Sequence, residues 1–158
     1  FFLIAFSLTC FAKIDFVSDE ITIHLPTHII ASGNTLFNTQ DITISAQTFN
    51  YDLSTFYGSF FGSVHANYLD SSLKADQLEF NTADEILTGK DNISFTAPNL
   101  VAYSDSFYMK ENTIVTLNDN VFIERNGGQI KSNELIYNLK TNSVISNERV
   151  KLKLMVED

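Results

Sequence analysis

The sequence predicts an all-β fold built from about five repeats of 28 or 29 residues, and three observations predict it. Small residues recur at a fixed pitch: Ser18, Ala46, Ala75, Ser104 and Ser132 follow one another at steps of 28, 29, 29 and 28. Beside them apolar residues alternate with polar ones, as in Phe49 and Tyr51, Leu78 and Phe80, and Leu135 and Tyr137. A spacing of two is the period of a strand. Between these runs lie clusters of Asn, Asp, Ser and Thr, and no stretch past residue 13 has convincing helical periodicity. Repetition of this kind means one unit stacked several times, each copy burying a face against its neighbours.

Composition sets the bounds. A chain of 158 residues with 44% hydrophobic content is one ordinary domain with enough side chains for a continuous core. Fourteen Phe, six Gly, two Pro and no Trp exclude a disordered or collagen-like chain. The net charge of −9 makes nucleic acid a poor partner. Residues 1–120 carry 4 basic and 14 acidic side chains, whereas 121–158 carry 6 and 5, so the basic residues gather towards the carboxyl end.

Taken in order, Phe1 to Ala12 form an uncharged apolar run that reads as the truncated middle of a secretory signal peptide, with Cys10 and Ala12 at the small-residue positions of a cleavage site. A membrane-anchor remnant is the alternative, since a span needs about 20 apolar residues. The folded domain is expected over 13–158. Without Cys10 it holds no cysteine and no disulfide, which suits a bacterial cell envelope.

Each repeat continues with the small residue, two spacers, and a pair of apolar residues one apart. The two-residue gap breaks the alternation once per repeat, and an uncorrected slip would turn every later side chain to the other face. A bulge or corner at that point restores the inward set and bends the strand. Turns are expected at 50–55, 81–84, 110–113 and 138–142, and Gly127-Gly128 marks a hairpin between Val121 to Arg125 and Ile130 to Tyr137. Two long runs per period favour antiparallel strands that zigzag up two layers over a one-way β-helix. Val150 to Val156 alternates without Pro and reads as a final strand, and Ile21-Thr22-Ile23-His24-Leu25 as an edge strand ended by Pro26.

The search for chemistry returns no catalytic residues, no metal site and no cofactor. His24 and His28 flank Pro26 in an extended segment, which rules out the helical metal-ligand spacing. His65 alternates with Val64 and Ala66 and points outward. Asp19-Glu20 and Asp84-Glu85 sit near turns and do not converge across a cleft. Neither a phosphate-binding loop nor a nucleophile elbow is present.

Several copies in register carry a resemblance. Residues 130–144, Ile130-Lys-Ser-Asn-Glu-Leu-Ile-Tyr-Asn-Leu-Lys-Thr-Asn-Ser-Val144, resemble the repeat of the OstA-like (LptA-like) family of lipopolysaccharide-transport proteins. Lys74-Ala75-Asp76-Gln77-Leu78-Glu79-Phe80-Asn81, Asp91-Asn92-Ile93 and Asp119-Asn120-Val121 match other parts of that repeat, over about residues 18 to 154. The resemblance implies an open, V-shaped antiparallel β-jellyroll in the periplasm of a Gram-negative bacterium. It implies a non-enzymatic carrier that bridges the two membranes and shields the acyl chains of lipid A in an apolar trough. Trough candidates are Phe49, Tyr51, Phe60, Val64, Leu78, Phe80, Ile93, Phe95, Phe107, Val121, Ile123, Leu135 and Tyr137. The family further implies edge-strand pairing with membrane-anchored and outer-membrane OstA-like partners and head-to-tail self-association. Contacts for these are expected at Ile21, Ile23, Val150, Leu152 and Leu154. By residue chemistry alone the same inward stripe equally describes the closed core of a structural or adhesin-type β-repeat protein without a ligand.

Overall fold

The computed structural model describes residues 14–24, 26–98, 100–125, 127–146 and 151–154, and no helix occurs among them. The expected export segment, 1–12, lies outside the described residues. The strands are β1 (Asp15–Val17), β2 (Glu20–His24), β3 (His28–Asn38), β4 (Ile42–Asp52), β5 (Tyr57–Tyr68) and β6 (Ser71–Asn81). They continue as β7 (Ile86–Ala97), β8 (Leu100–Lys110), β9 (Ile114–Arg125), β10 (Gly128–Asn138), β11 (Ser143–Ile145) and β12 (Lys151–Leu154). All belong to a single sheet in which, from β3 to β10, neighbours in sequence are neighbours in space. Every pairing is antiparallel. Strands β1 and β2 both lie on β3, and β11 and β12 both lie on β10, so each pair is one strand position interrupted midway.

The anticipated bend is present, and it is shared by all the long strands. Pairing slips at Ser45/Thr48 in β4, Lys74/Gln77 in β6, Tyr103/Ser106 in β8 and Ser132/Glu134 in β10, where Ala46, Ala75, Ser104 and Ser132 stand. Facing them, β3, β5, β7 and β9 each carry an extra residue within a left-handed pair: Gly33-Asn34, Gly62-Ser63, Asp91-Asn92 and Asp119-Asn120. Bulges that line up across a sheet crease it. Gly62 is fixed twice over, by φ +82° and because an added Cβ would stand 2.9 Å from the Cβ of Gln47.

Side-chain chemistry secures the crease. On the outside, Asn34 donates to Asp19 (2.9 Å), Asn92 to Asp76 (2.6 Å) and Asn120 to Asp105 (2.6 Å). On the inside, Val64 pairs with Ala75, Ile93 with Ser104 and Val121 with Ser132, so a branched residue always meets a small one. The serine hydroxyls occupy backbone carbonyls there: Ser18 donates to Ser32 (2.8 Å), Ser104 to Ser106 (2.9 Å) and Ser132 to Glu134 (2.8 Å). This explains why the repeat admits only Ala or Ser at that column.

The crease divides the sheet into two arms. The first holds β1, β12 and the strand halves that meet after Asn38, Tyr68, Ala97 and Arg125; the second holds β2, β11 and the halves that meet after His24, Asp52, Asn81, Lys110 and Asn138. The expected turns fall on the second arm, where Asp52, Asn81 and Asn138 accept backbone hydrogen bonds from residues two or three further on. Its turns are also chained together, since Leu53 N donates to Thr27 O, Thr82 N to Phe56 O, Glu111 N to Glu85 O and Leu139 N to Thr113 O. Among the described residues no backbone bond joins one turn of the first arm to the next.

The arms face each other. Phe95 of β7 lies 5.9 Å from the ring of Tyr137 in β10, three strands away. In a flat sheet that separation would be about 14 Å. At the amino end Phe16 and Phe37 of the first arm interlock with Phe49, Tyr51 and Phe60 of the second, and the Phe49 and Phe60 rings stack at 4.6 Å. The fold is therefore one antiparallel sheet folded back on its own apolar face, as the repeats predict.

Candidate functional site

Alternation on either side of the crease brings all thirteen trough candidates to the inner face. Phe49, Tyr51, Phe60, Leu78, Phe80, Phe107, Leu135 and Tyr137 belong to the second arm, and Val64, Ile93, Phe95, Val121 and Ile123 to the first. None is more than 4% exposed, so in this conformation they form a closed core. His65 points outward, as its alternation requires.

The packing fails along one line. Midway along the seam a narrow apolar cleft of about 20 Å³ is lined by Ile42, Ala66, Leu73 and Phe95 of the first arm and Leu87, Phe107 and Met109 of the second. Ile42 also lines a larger cavity of about 330 Å³ at the amino end, between the turn 39–41 and the opposing turns with Phe56, Thr82, Glu85 and Asn112. Towards the carboxyl end, Tyr68 and Leu139 line both the inner cleft and a cavity of about 130 Å³ with Leu69, Pro98 and Asn142. These three spaces follow the mouth between the arm tips. Ile42, Leu73, Leu87 and Met109 were absent from the predicted set, although Leu73 and Met109 stand in repeat columns and the alternation through Ile44 points to Ile42.

The mouth is polar and acidic around an apolar interior. Tyr51 and Tyr137 bury their rings and place their hydroxyls among the turns, Tyr51 against Thr82 Oγ1 (2.9 Å) and Tyr137 donating to Asn142 Oδ1 (2.7 Å). Burial holds both phenols above their ordinary pKa. Tyr68 is likewise raised by burial, and then by the charges of Asp41 on the first arm and Glu85 on the second. The Asn112 amide oxygen, which lines the amino-end cavity, is buried without a hydrogen-bond partner. Such a site excludes water from alkyl groups and presents polar groups at its rim.

The two ends differ. Ile21 and Ile23 pair with Ala31 and Ile29 and so occupy inward positions, yet they are 45% and 60% exposed because β2 is the last strand of its arm. Leu152 and Leu154 belong to β12, which pairs with β10, while Val150 lies outside the described residues. His24 and His28 are direct partners across the β2–β3 hairpin, a juxtaposition hidden in the linear spacing. His28 Nε2 lies 3.5 Å from Asp52 Oδ2, and no three His, Cys, Asp or Glu side chains gather as a metal site among the described residues.

A family profile described as LptA/(LptD N-terminal domain) LPS transport protein matches residues 17–143, from the end of β1 to the start of β11. The chain belongs to this family. It is an LPS transport family, and the repeats that resemble OstA-like proteins are the segments the profile spans. No curated protein matches the sequence. Among solved structures the chain is similar to LptH, the LptA homologous periplasmic component of the conserved lipopolysaccharide transport device from Pseudomonas aeruginosa. Identity is 11%, the TM-score is 0.38, and the match covers 91% of this chain and 96% of that one.

Proposed function

We propose that this LPS transport protein is a non-enzymatic periplasmic carrier of a Gram-negative bacterium, which holds lipid A acyl chains between its two arms. Residues 1–12 serve its export and 13–158 form the carrier domain. The observation that carries the reading is the seam itself, where an apolar cleft crossed by residues of both arms opens between two rows of turns. Transfer of methylenes from water is favourable by about 0.8 kcal/mol each, so a chain with ~10 buried methylenes gains ~8 kcal/mol. That is enough to offset parting of side chains along part of the seam. On this reading the thirteen inward residues become lipid contacts as the arms separate.

Bridging follows from the ends. The sheet has ten strand positions, so the first (β1 and β2) and the last (β11 and β12) run in opposite senses. A second copy placed head to tail continues the antiparallel order with each arm on its counterpart. Following the rows of partners across the sheet, Val144 then meets Ile23 of the next copy, and Lys153 meets its Asp15. The same edges suit membrane-anchored and outer-membrane relatives. Exposed inward residues and unpaired backbone at β2 support this reading.

Photocrosslinking tests it. A photoreactive residue at Phe95, on the cleft, should form an adduct with lipopolysaccharide, and one at His65 should not. Absence of an adduct at Phe95 in folded protein would reduce the seam to the core of a structural β-repeat.

A further inference from the structure

Two large apolar residues stand where turn chemistry calls for something else. Phe56 ends the turn 53–56 on the second arm and Leu69 begins the turn 69–70 on the first, so the two bracket β5. Their backbones are left-handed, with φ of 59° and 49°. That region suits Gly, Asn and Asp, and is unusual for bulky side chains. Both side chains are nevertheless in water: Phe56 is 49% exposed and Leu69 80%, the highest value among the described large hydrophobic residues.

The protein itself shows what these turns need. One repeat after Phe56 comes Glu85, at φ 54°, and two repeats further comes Asn142, at φ 53°. Leu69-Asp70 corresponds, two repeats on, to the sequence Asn126-Gly127, the pairing favoured in two-residue hairpins. Neither backbone geometry nor packing selects a large apolar group at 56 or 69. Their placement does: Phe56 lines the amino-end cavity of the mouth and Leu69 the carboxyl-end one.

We infer that Phe56 and Leu69 form an entry lip, the surface on which an alkyl chain of lipopolysaccharide first leaves water before passing between the arms. This rests on the carrier reading above. The lip acts on the rate of capture more than on final affinity, because the loaded chain lies deeper, along the seam.

The test joins stability to capture kinetics, using the full chain and fluorescently labelled lipopolysaccharide micelles. Leu69→Asn and Phe56→Asn should each raise the thermal midpoint by a few degrees, since Asn fits the left-handed turn and removes an exposed apolar group. Each should slow capture several-fold, and the pair at least tenfold, while Leu69→Met keeps the wild-type rate. Capture at the wild-type rate by the double variant would overturn the lip and leave the carrier reading intact. A fall in thermal midpoint would overturn it too, by showing that these side chains serve the fold. If the wild-type protein captures nothing, the carrier reading fails and the lip with it.

Discussion

Phe37 on the first arm and Phe80 on the second meet edge to face, with ring centroids 6.1 Å apart and planes at 90°, although β3 and β6 are three strands apart in the sheet. The contact exists only because the sheet is folded at its crease, so it reports closure of the amino end directly.

Truncating either ring should therefore cost more than local packing. Phe37→Ala and Phe80→Ala should each destabilise the protein by about 3–5 kcal/mol, the range for large buried aromatics. The pair should show a coupling of about 0.5–1.5 kcal/mol in a double-mutant cycle. Urea unfolding of the four proteins measures both quantities, and additive effects would mean that the rings do not act across the seam.

The outer rungs of the crease give an ordering. Asn92 combines a left-handed backbone, φ 51°, with a 2.6 Å bond to Asp76. Asn92→Gly loses only the bond, about 1 kcal/mol, whereas Asn92→Ala adds a left-handed penalty of about 1–2 kcal/mol. Denaturation midpoints should fall in the order wild type, Gly, Ala. Equal losses would locate the effect in the hydrogen bond alone.

Tyr57 should make stability sensitive to alkali. Burial, followed by a hydrogen bond to Glu79 and the charge of that carboxylate, pushes its phenol up from 10.0 to about 12. The unfolded chain gives up this proton near pH 10 while the folded protein keeps it, so the stabilisation is complete below pH 10 and declines as pH rises to about 12. Ultraviolet titration of the phenolate should show a late-titrating tyrosine, and Glu79→Gln should bring it forward. An unchanged titration in that variant would leave burial as the sole cause.

Assembly should follow charge at the ends. If copies stack in the register derived above, Lys153→Glu places like charges opposite Asp15 of the next copy and weakens association, and Asp15→Lys added to it restores association. Sedimentation velocity at low salt distinguishes these proteins. Failure of the double reversal to restore association would exclude this register.

Much of this architecture is legible in the sequence because its requirements are periodic. The crease demands a small inward residue once per repeat, and Ser18, Ala46, Ala75, Ser104 and Ser132 announce it. The opposing column, Gly33, Gly62, Asp91 and Asp119, keeps steps of 29, 29 and 28 and is equally visible once sought. What hides it is the change from Gly to Asp, two residues linked only by tolerance of a left-handed backbone. The bulge also resets the alternation, so an 11- or 12-residue strand such as β4 or β5 reads as two short ones. Closure of the seam has no signature at all, since Phe95 or Leu78 would be chosen equally for a core and for a trough. The pairing of His24 with His28 is hidden for a different reason: a spacing of four points to a shared face only in a helix, whereas here a hairpin brings the two together.

The chained turns of the second arm bear on how the seam parts. Four backbone bonds run from Thr27 to Leu139 along that rim, binding neighbouring hairpins at their ends as well as along their strands. Such a rim resists splaying of any one hairpin. Among the described residues the tips of the first arm show no corresponding ties. On the carrier reading proposed above, this tied rim is the fixed jaw of a clasp, and the seam opens by movement of the other jaw against it.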